Sequence, residues 1–229
     1  MKFRGIKKSS LIDWPCKVVS TIFTGGCNFR CGWCQNPDLV FNKVKDEISV
    51  GYLINYFEKN RKWLDGICVT GGEPLINKDL EETLKEFKQH GFKIKLDTNG
   101  SNPGKLKKLI QENIVDFVSL DIKGPLDEDY SKYVGVKVDN EVIKESIRIV
   151  KDTGIEYEFR TTVVPGLLTG KEIQKIGRYI SPADNYILQK FRGGNTLDSR
   201  YSNKTPYTDE EMKKMAEKVS GFAQKIQIR

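Results

Sequence analysis

The sequence has a single histidine, His90. It also has no apolar run long enough to cross a bilayer. The longest, VVSTIF and GICV, fall far short of the ~20 residues that a spanning helix needs. The basic start MKFRGIKKSS leads into LIDWPCKVV. That apolar stretch is too short, and too soon interrupted by Asp13, for a secretory leader. A cytoplasmic location is expected, with no membrane partner. Five cysteines is an odd count, which argues against a disulfide framework. No repeat of fixed period and no low-complexity segment is present. Charge of one sign is not concentrated either. Lys and Arg number 38 against 31 Asp and Glu, a net charge of +7. The signs are interleaved, as in EETLKEFKQH and DEEMKKMAEK, which is the pattern of solvated helix faces rather than of a nucleic-acid stripe.

What is present alternates. At 229 residues the chain can bury a substantial core, and one α/β domain over residues 1–229 fits the length. Strands are predicted at 17–24, 66–70, 92–97, 115–122, 155–164 and 185–191. Helices are predicted at 49–63, 78–91, 103–113, 140–154, 169–180 and 208–225. Terminal glycines such as Gly91 and Gly154, and Pro103 at a helix start, punctuate them. Six strands alternating with helices require a mostly parallel sheet with helices outside. The polar, glycine-containing segments follow the strands, where α/β barrels build their sites. An open flavodoxin-like sheet remains the alternative on pattern alone.

Three of the five cysteines, Cys27, Cys31 and Cys34, crowd into GGCNFRCGWCQNP. Structural zinc wants four ligands, usually as two separated pairs, and there is no second pair. Cys68 lies within a strand, where free buried cysteine is common. His90 sits at the wrong end of a helix, and Cys16 abuts the first strand, which leaves an approach to the loop open. An iron–sulfur cubane normally takes four thiolates. Three leave one iron open to a small molecule, and that turns an electron carrier into a catalyst.

Cys27-x3-Cys31-x2-Cys34, with Trp33 before the last cysteine, resembles the radical S-adenosylmethionine (SAM) signature. Gly71-Gly72-Glu73-Pro74 resembles that superfamily's SAM-amino-group motif. Asp97-Thr98-Asn99-Gly100, Asp121-Ile122-Lys123, Arg160 to Gly166, Leu11 to Pro15 and Cys34 to Pro37 are similar to the glycyl-radical-enzyme activases, the relatives of pyruvate formate-lyase activating enzyme and of anaerobic ribonucleotide reductase activating protein. The similarity runs from about residue 9 to 195.

The resemblance implies a partial (β/α)6 TIM-type barrel. It implies a 4Fe–4S cluster on Cys27, Cys31 and Cys34, with SAM chelating the open iron. One electron from the cluster breaks the sulfonium, and the 5′-deoxyadenosyl radical takes a hydrogen from substrate. Gly71 and Gly72 then let the backbone approach SAM, and Glu73 faces its ammonium. Lys123 is a candidate for the SAM carboxylate. Asp97, Thr98 and Asp121 resemble the activases' monovalent-cation site. Arg160 and Thr162 share one face of their strand, and Arg160 needs an anion there: the SAM carboxylate, a substrate backbone or a structural carboxylate. Trp33 and Phe29 shield the cluster, with Trp33 near the adenine. Asp13 resembles the residue that presents the substrate glycine. For most of these the plain reading is a turn, a cap or ordinary packing.

Two departures stand out. Gln35 follows the third cysteine where relatives often have His, and Phe191 stands where the formate-lyase activase has one. Gln189 with Phe191 looks more like the ribonucleotide reductase activase branch. The expected partner is a glycyl radical enzyme, most closely anaerobic ribonucleoside-triphosphate reductase, with flavodoxin or ferredoxin as electron donor. A small-molecule enzyme such as 7-carboxy-7-deazaguanine synthase shares the size and the Gly-Gly-Glu-Pro loop. A non-catalytic zinc or cluster-binding module is the reading from another class.

Overall fold

The computed structural model describes residues 1–229. In chain order the strands are β1 (Lys2–Phe3), β2 (Gly5–Ser10), β3 (Val19–Thr24), β4 (Ile48–Ser49), β5 (Gly66–Gly71), β6 (Ile94–Thr98), β7 (Phe117–Asp121), β8 (Glu156–Val163), β9 (Ala183–Lys190) and β10 (Ala223–Ile228). The helices are α1 (Pro37–Val40), α2 (Val50–Lys59), α3 (Leu80–Gln89), α4 (Pro103–Gln111), α5 (Tyr130–Val134), α6 (Asn140–Asp152), α7 (Gly170–Ile180) and α8 (Asp209–Glu217). None is long and apolar enough to cross a membrane.

One sheet runs β10-β9-β8-β7-β6-β5-β3-β2. Its members from β3 to β10 pair in parallel, and only β2 is antiparallel, to β3. The six predicted strands are the six inner ones, each followed by its helix, and they form the partial barrel expected. Their apolar, β-branched runs suit strands covered on the outside by helices. The helices start where the sequence supplies caps. Asn102 accepts from Lys105 N ahead of Pro103, and Thr169 and Glu172 close a capping box on α7. A core of 46 buried residues fills the space between sheet and helices, with Phe57 edge-on to both Phe87 and Phe92.

One expectation is corrected, and one open alternative is closed. The helix read over 208–225 stops at Glu217, and Ala223–Ile228 turns back as β10, parallel to β9, with Ile226 opposite Tyr186 and Ile228 opposite Leu188. A turn through Ser220 and Gly221 separates the two. Cys16 does not approach the cysteine loop. It is exposed, in a left-handed turn with φ 58°, ahead of β3, whereas the loop leaves the other end of that strand. Six residues of strand put about 20 Å between the two ends.

Candidate active site

The cysteine loop leaves β3 through Gly25 and Gly26 and is held from three sides. Gly26 N donates to Leu39 O at 2.8 Å and Cys27 N to Val40 O at 3.3 Å, tying its root to α1. Arg30 N donates to Val134 O at 2.7 Å, tying its middle to α5. Leu197 N and Asp198 N donate to Cys34 O and Gly32 O at 2.9 and 2.8 Å, laying the segment after β9 across its far end. The Gln35 side-chain amide also donates to Arg192 O on that segment. All five thiols are free. No three Cys, His, Asp or Glu side chains converge as a single metal ion requires. Burial pushes the Cys27 thiol up to about 11 and the Cys31 thiol up to about 12. His90 is remote, capping α3 with its ring 3.0 Å from Glu58.

The Gly-Gly-Glu-Pro segment ends β5 beside this loop, and the two are stitched backbone to backbone. Gly72 N donates to Thr24 O at 3.0 Å and Glu73 N to Gly26 O at 2.8 Å. Both glycines are therefore needed for a nearer reason than cofactor approach. A Cβ on Gly72 would lie 1.8 Å from Gly26 O, and one on Gly71, whose φ is 124°, would lie 2.3 Å from Thr24 N. Pro74 is buried behind them and opens a single 3-10 turn.

Glu73 is 1% exposed. Its Oε1 accepts from Thr98 Oγ1 at 2.7 Å and Leu75 N at 3.0 Å, and its Oε2 accepts from Asn99 N at 2.7 Å. All three donors are neutral. Burial outweighs them and raises the carboxyl to about 7. No ion pair reaches this carboxyl, and the Lys123 charge is the least of the influences on it, so its charged form lacks a direct counter-ion.

Across the cavity the charges are paired into a ladder. Arg160 Nε and Nη2 hold Asp121 at 2.7 and 3.0 Å, and Nη2 also reaches Asp97 at 3.0 Å. Lys123 Nζ lies 3.2 Å from Asp121 and 5.3 Å above the Trp33 ring. Below, fully buried Lys95 donates to Asp97 and lies 3.7 Å from Glu158, which Arg229 caps at 2.9 Å from β10. Cys68 Sγ, within β5, donates to Asp97 at 3.7 Å. The anion that Arg160 was expected to need is thus supplied by the chain itself, and its guanidinium spans the carboxylates of Asp97 and Asp121.

A cavity of about 180 Å³ opens at the C-terminal ends of the strands. It brings together Cys27, Cys31, Trp33, Cys34, Gly71, Gly72, Glu73, Asp97, Thr98, Asp121, Lys123, Arg160 and Thr162. Asp13 is not among them. It accepts from Thr21 Oγ1 at 2.6 Å and faces Lys7 at 3.5 Å, on the connection that leads into β3. The cavity adds Thr70, Asn99 and Gln189, to which no role was given. Asn99 also bonds Asn28 of the cysteine loop at 3.0 Å, so it braces two motifs at once. Its position inside Asp97-Thr98-Asn99-Gly100 was the available signal.

The profile of the radical SAM superfamily matches residues 21–180, and the chain belongs to that superfamily. Within it, the curated relatives are activating enzymes, and this enzyme falls among them. A Methanocaldococcus jannaschii protein, provisionally assigned as a glycyl-radical enzyme activating enzyme, is 29% identical over 98% of this chain and 94% of its own length. A pyruvate formate-lyase-activating enzyme of Staphylococcus epidermidis is 31% identical over 74% of this chain and 71% of its own. The solved structure of a radical SAM methyltransferase from Sphaerobacter thermophilus superposes with a TM-score of 0.74 over 94% of this chain and 67% of that one; at 15% identity the likeness is of fold. Membership implies a 4Fe–4S cluster and SAM.

Proposed function

We propose that this enzyme generates a glycyl radical on a partner protein, and that the partner is anaerobic ribonucleoside-triphosphate reductase. The observation that carries the reading is one cavity holding three thiols, an unpaired buried carboxylate and a cation ladder. In it Cys27, Cys31 and Cys34 hold the cluster. Glu73, lacking a cation, meets the ammonium of SAM. Lys123, beyond the end of β7 and so two strands along the sheet from the end of β5 that carries Glu73, meets the carboxylate, a point charge facing an anion. Trp33, buried with its Nε1 unpartnered, covers the adenine side. Bound together, the cluster and SAM supply one-electron cleavage of the sulfonium and removal of a hydrogen atom from substrate.

The chain's own contribution is orientation and exclusion of water. Thr98 and Asn99 aim Glu73, and Arg160 fixes the carboxylate beside Lys123. A monovalent cation at Asp97, Thr98 and Asp121 would have to share those oxygens with Arg160. Gln189 and Phe191 at the cavity edge support the reductase-activase branch. Flavodoxin or ferredoxin supplies the electron, and residues 1–229 act as one domain.

The test is anaerobic reconstitution with iron and sulfide, followed by SAM, reductant and the reductase of the same cell. A glycyl doublet by electron paramagnetic resonance is expected. SAM cleavage stimulated by a pterin and not by a glycine-loop peptide would overturn the reading in favour of a small-molecule enzyme.

A further inference from the structure

Leu11 and Ile12 break the burial pattern around them. Ser10 before them is 4% exposed and Trp14 after them 2%, yet Leu11 and Ile12 stand 75% and 64% exposed. The turn that presents them is braced on both flanks. Ser10 Oγ accepts from Lys7 Nζ at 3.0 Å and from Ile12 N at 3.4 Å, and Asp13 accepts from Thr21 Oγ1 at 2.6 Å. An apolar pair held out to water by a fixed turn loses little freedom when a partner covers it.

The pair does not stand alone. Trp63, 77% exposed, lies at the same end of the sheet, the end where Val19 of β3 stands opposite Gly66 of β5. The two connections are tied there, Val18 N donating to Asp65 Oδ2 at 2.7 Å and Asp65 N to Val18 O at 2.8 Å. The same rim is basic. Lys8 and Lys17 lie over the rings of Tyr56 and Trp14 rather than against a carboxylate, and Lys59, Lys62 and Lys93 are exposed without one. Of the nearby acids, Asp13 faces Lys7 and Glu58 holds Arg61. That leaves Asp65, with Glu156 beside Lys17 and Lys93, against five lysines. The rim also has a special place in the fold. β2 and β10 are the two ends of the sheet and do not pair, so the barrel is open along one side. Leu11 and Ile12 follow β2 directly and mark the foot of that opening.

We propose that Leu11, Ile12 and Trp63, ringed by these lysines, dock an acidic surface of the protein whose glycine is attacked, and so place its glycine loop at the open side of the barrel. The proposal deepens the functional reading and rests on it. Charge selects the occupant, because unpaired lysines attract a carboxylate-rich face and steer its approach. A second copy of this chain, meeting the first across a two-fold axis, would bring the same lysines against one another. An anionic bilayer would cover the apolar tips but has no segment to pass into the opening.

The experiment uses the reconstituted chain and the whole reductase. Leu11→Ser with Ile12→Ser should raise the KM for the reductase at least tenfold, with kcat and partner-free cleavage of SAM unchanged. Trp63→Ser should act in the same sense. Lys8→Glu with Lys62→Glu should slow association and flatten its dependence on salt. Wild-type KM in all three variants overturns the docking surface and leaves the functional reading standing. So does an unchanged KM in variants that have lost a wild-type ability to bind phosphatidylglycerol vesicles or to self-associate in sedimentation. A wild-type chain that leaves no radical on the reductase strikes the functional reading itself, and the occupant proposed here with it.

Discussion

Arg160 grips Asp121 with one edge of its guanidinium, Nε 2.7 Å from Oδ1 and Nη2 3.0 Å from Oδ2. Burial raises the Asp121 carboxyl, and Arg160 with Lys123 overturns that and holds it well below the ordinary carboxylate range. Arg160→Ala leaves Asp97 and Asp121 with only lysines as counter-charges. Loss of one member of a buried pair costs about 3–5 kcal/mol. Urea unfolding of the metal-free variant should show a fall of that order. Arg160→Lys should recover part of it, since charge returns without the two-pronged geometry. A neutral result for Arg160→Ala would mean that the ladder does not support the fold.

Glu73 makes stability depend on pH in the opposite sense from a salt-bridged acid. Its carboxyl is raised from 4.5 to about 7 in the folded chain, first by burial. The folded state therefore favours the protonated form. That contribution is fully present below pH 4.5 and is lost as pH rises through about 7, in all about 3 kcal/mol. Unfolding midpoints of the metal-free protein between pH 5 and 8 should fall with pH, and Glu73→Gln should flatten the slope. SAM binding should behave inversely. It should strengthen as pH rises and Glu73 ionises, release a proton detectable by calorimetry in two buffers, and weaken at least tenfold in Glu73→Gln.

The three loop thiols should be distinguishable from the other two. Cys27→Ser, Cys31→Ser and Cys34→Ser should each lose iron and sulfide after reconstitution, and with them 5′-deoxyadenosine production. Cys16→Ser should lose neither, being exposed on the far side of β3. Cys68→Ser should keep the iron as well, because its thiol faces Asp97 and not the loop. Burial keeps Cys27 and Cys31 protonated, with values near 11 and 12, so iron uptake must expel protons and should quicken with rising pH.

Gly72→Ala tests the stitching between the two motifs. The new Cβ would fall 1.8 Å from Gly26 O, so the root of the cysteine loop must move. Poor iron retention and lowered stability are expected. Gly104→Ala is the control, since a Cβ there meets nothing within 4 Å and the site is in α4. It should be neutral or stabilising by up to about 1 kcal/mol.

Much of this was legible in the sequence where the signal is local. Apolar runs such as GICVT ended at glycine and polar motifs, which set both the strands and the rim they build. The cysteine spacing, with the Gly-Gly-Glu-Pro motif, carries the resemblance to the radical SAM signature. The edges were not legible. AQKIQI places Lys and Gln between apolar residues, and along β10 no side chain is fully buried, so its alternation merged with the preceding helix. GIKKSS became β2 although it carries two lysines, as suits an edge strand. The charge ladder was hidden for another reason. Lys93 and Lys95 stand two apart in FKIKLD, yet Lys93 is exposed and Lys95 has no exposed surface. Only the strand order, which brings Glu158 of β8 to Lys95 beside its own strand neighbour Asp97, separates them.

The segment laid across the cysteine loop joins the first parallel strand's loop to a stretch beyond the last of the predicted ones. A ribosome makes the thiols first and their cover much later, a delay on the order of ten seconds at typical synthesis speeds. During that interval the nascent chain carries three uncovered sulfurs. Metal loading therefore belongs after translation, and a chain arrested before Leu197 would display its ligands to oxygen without the means to shelter what they bind.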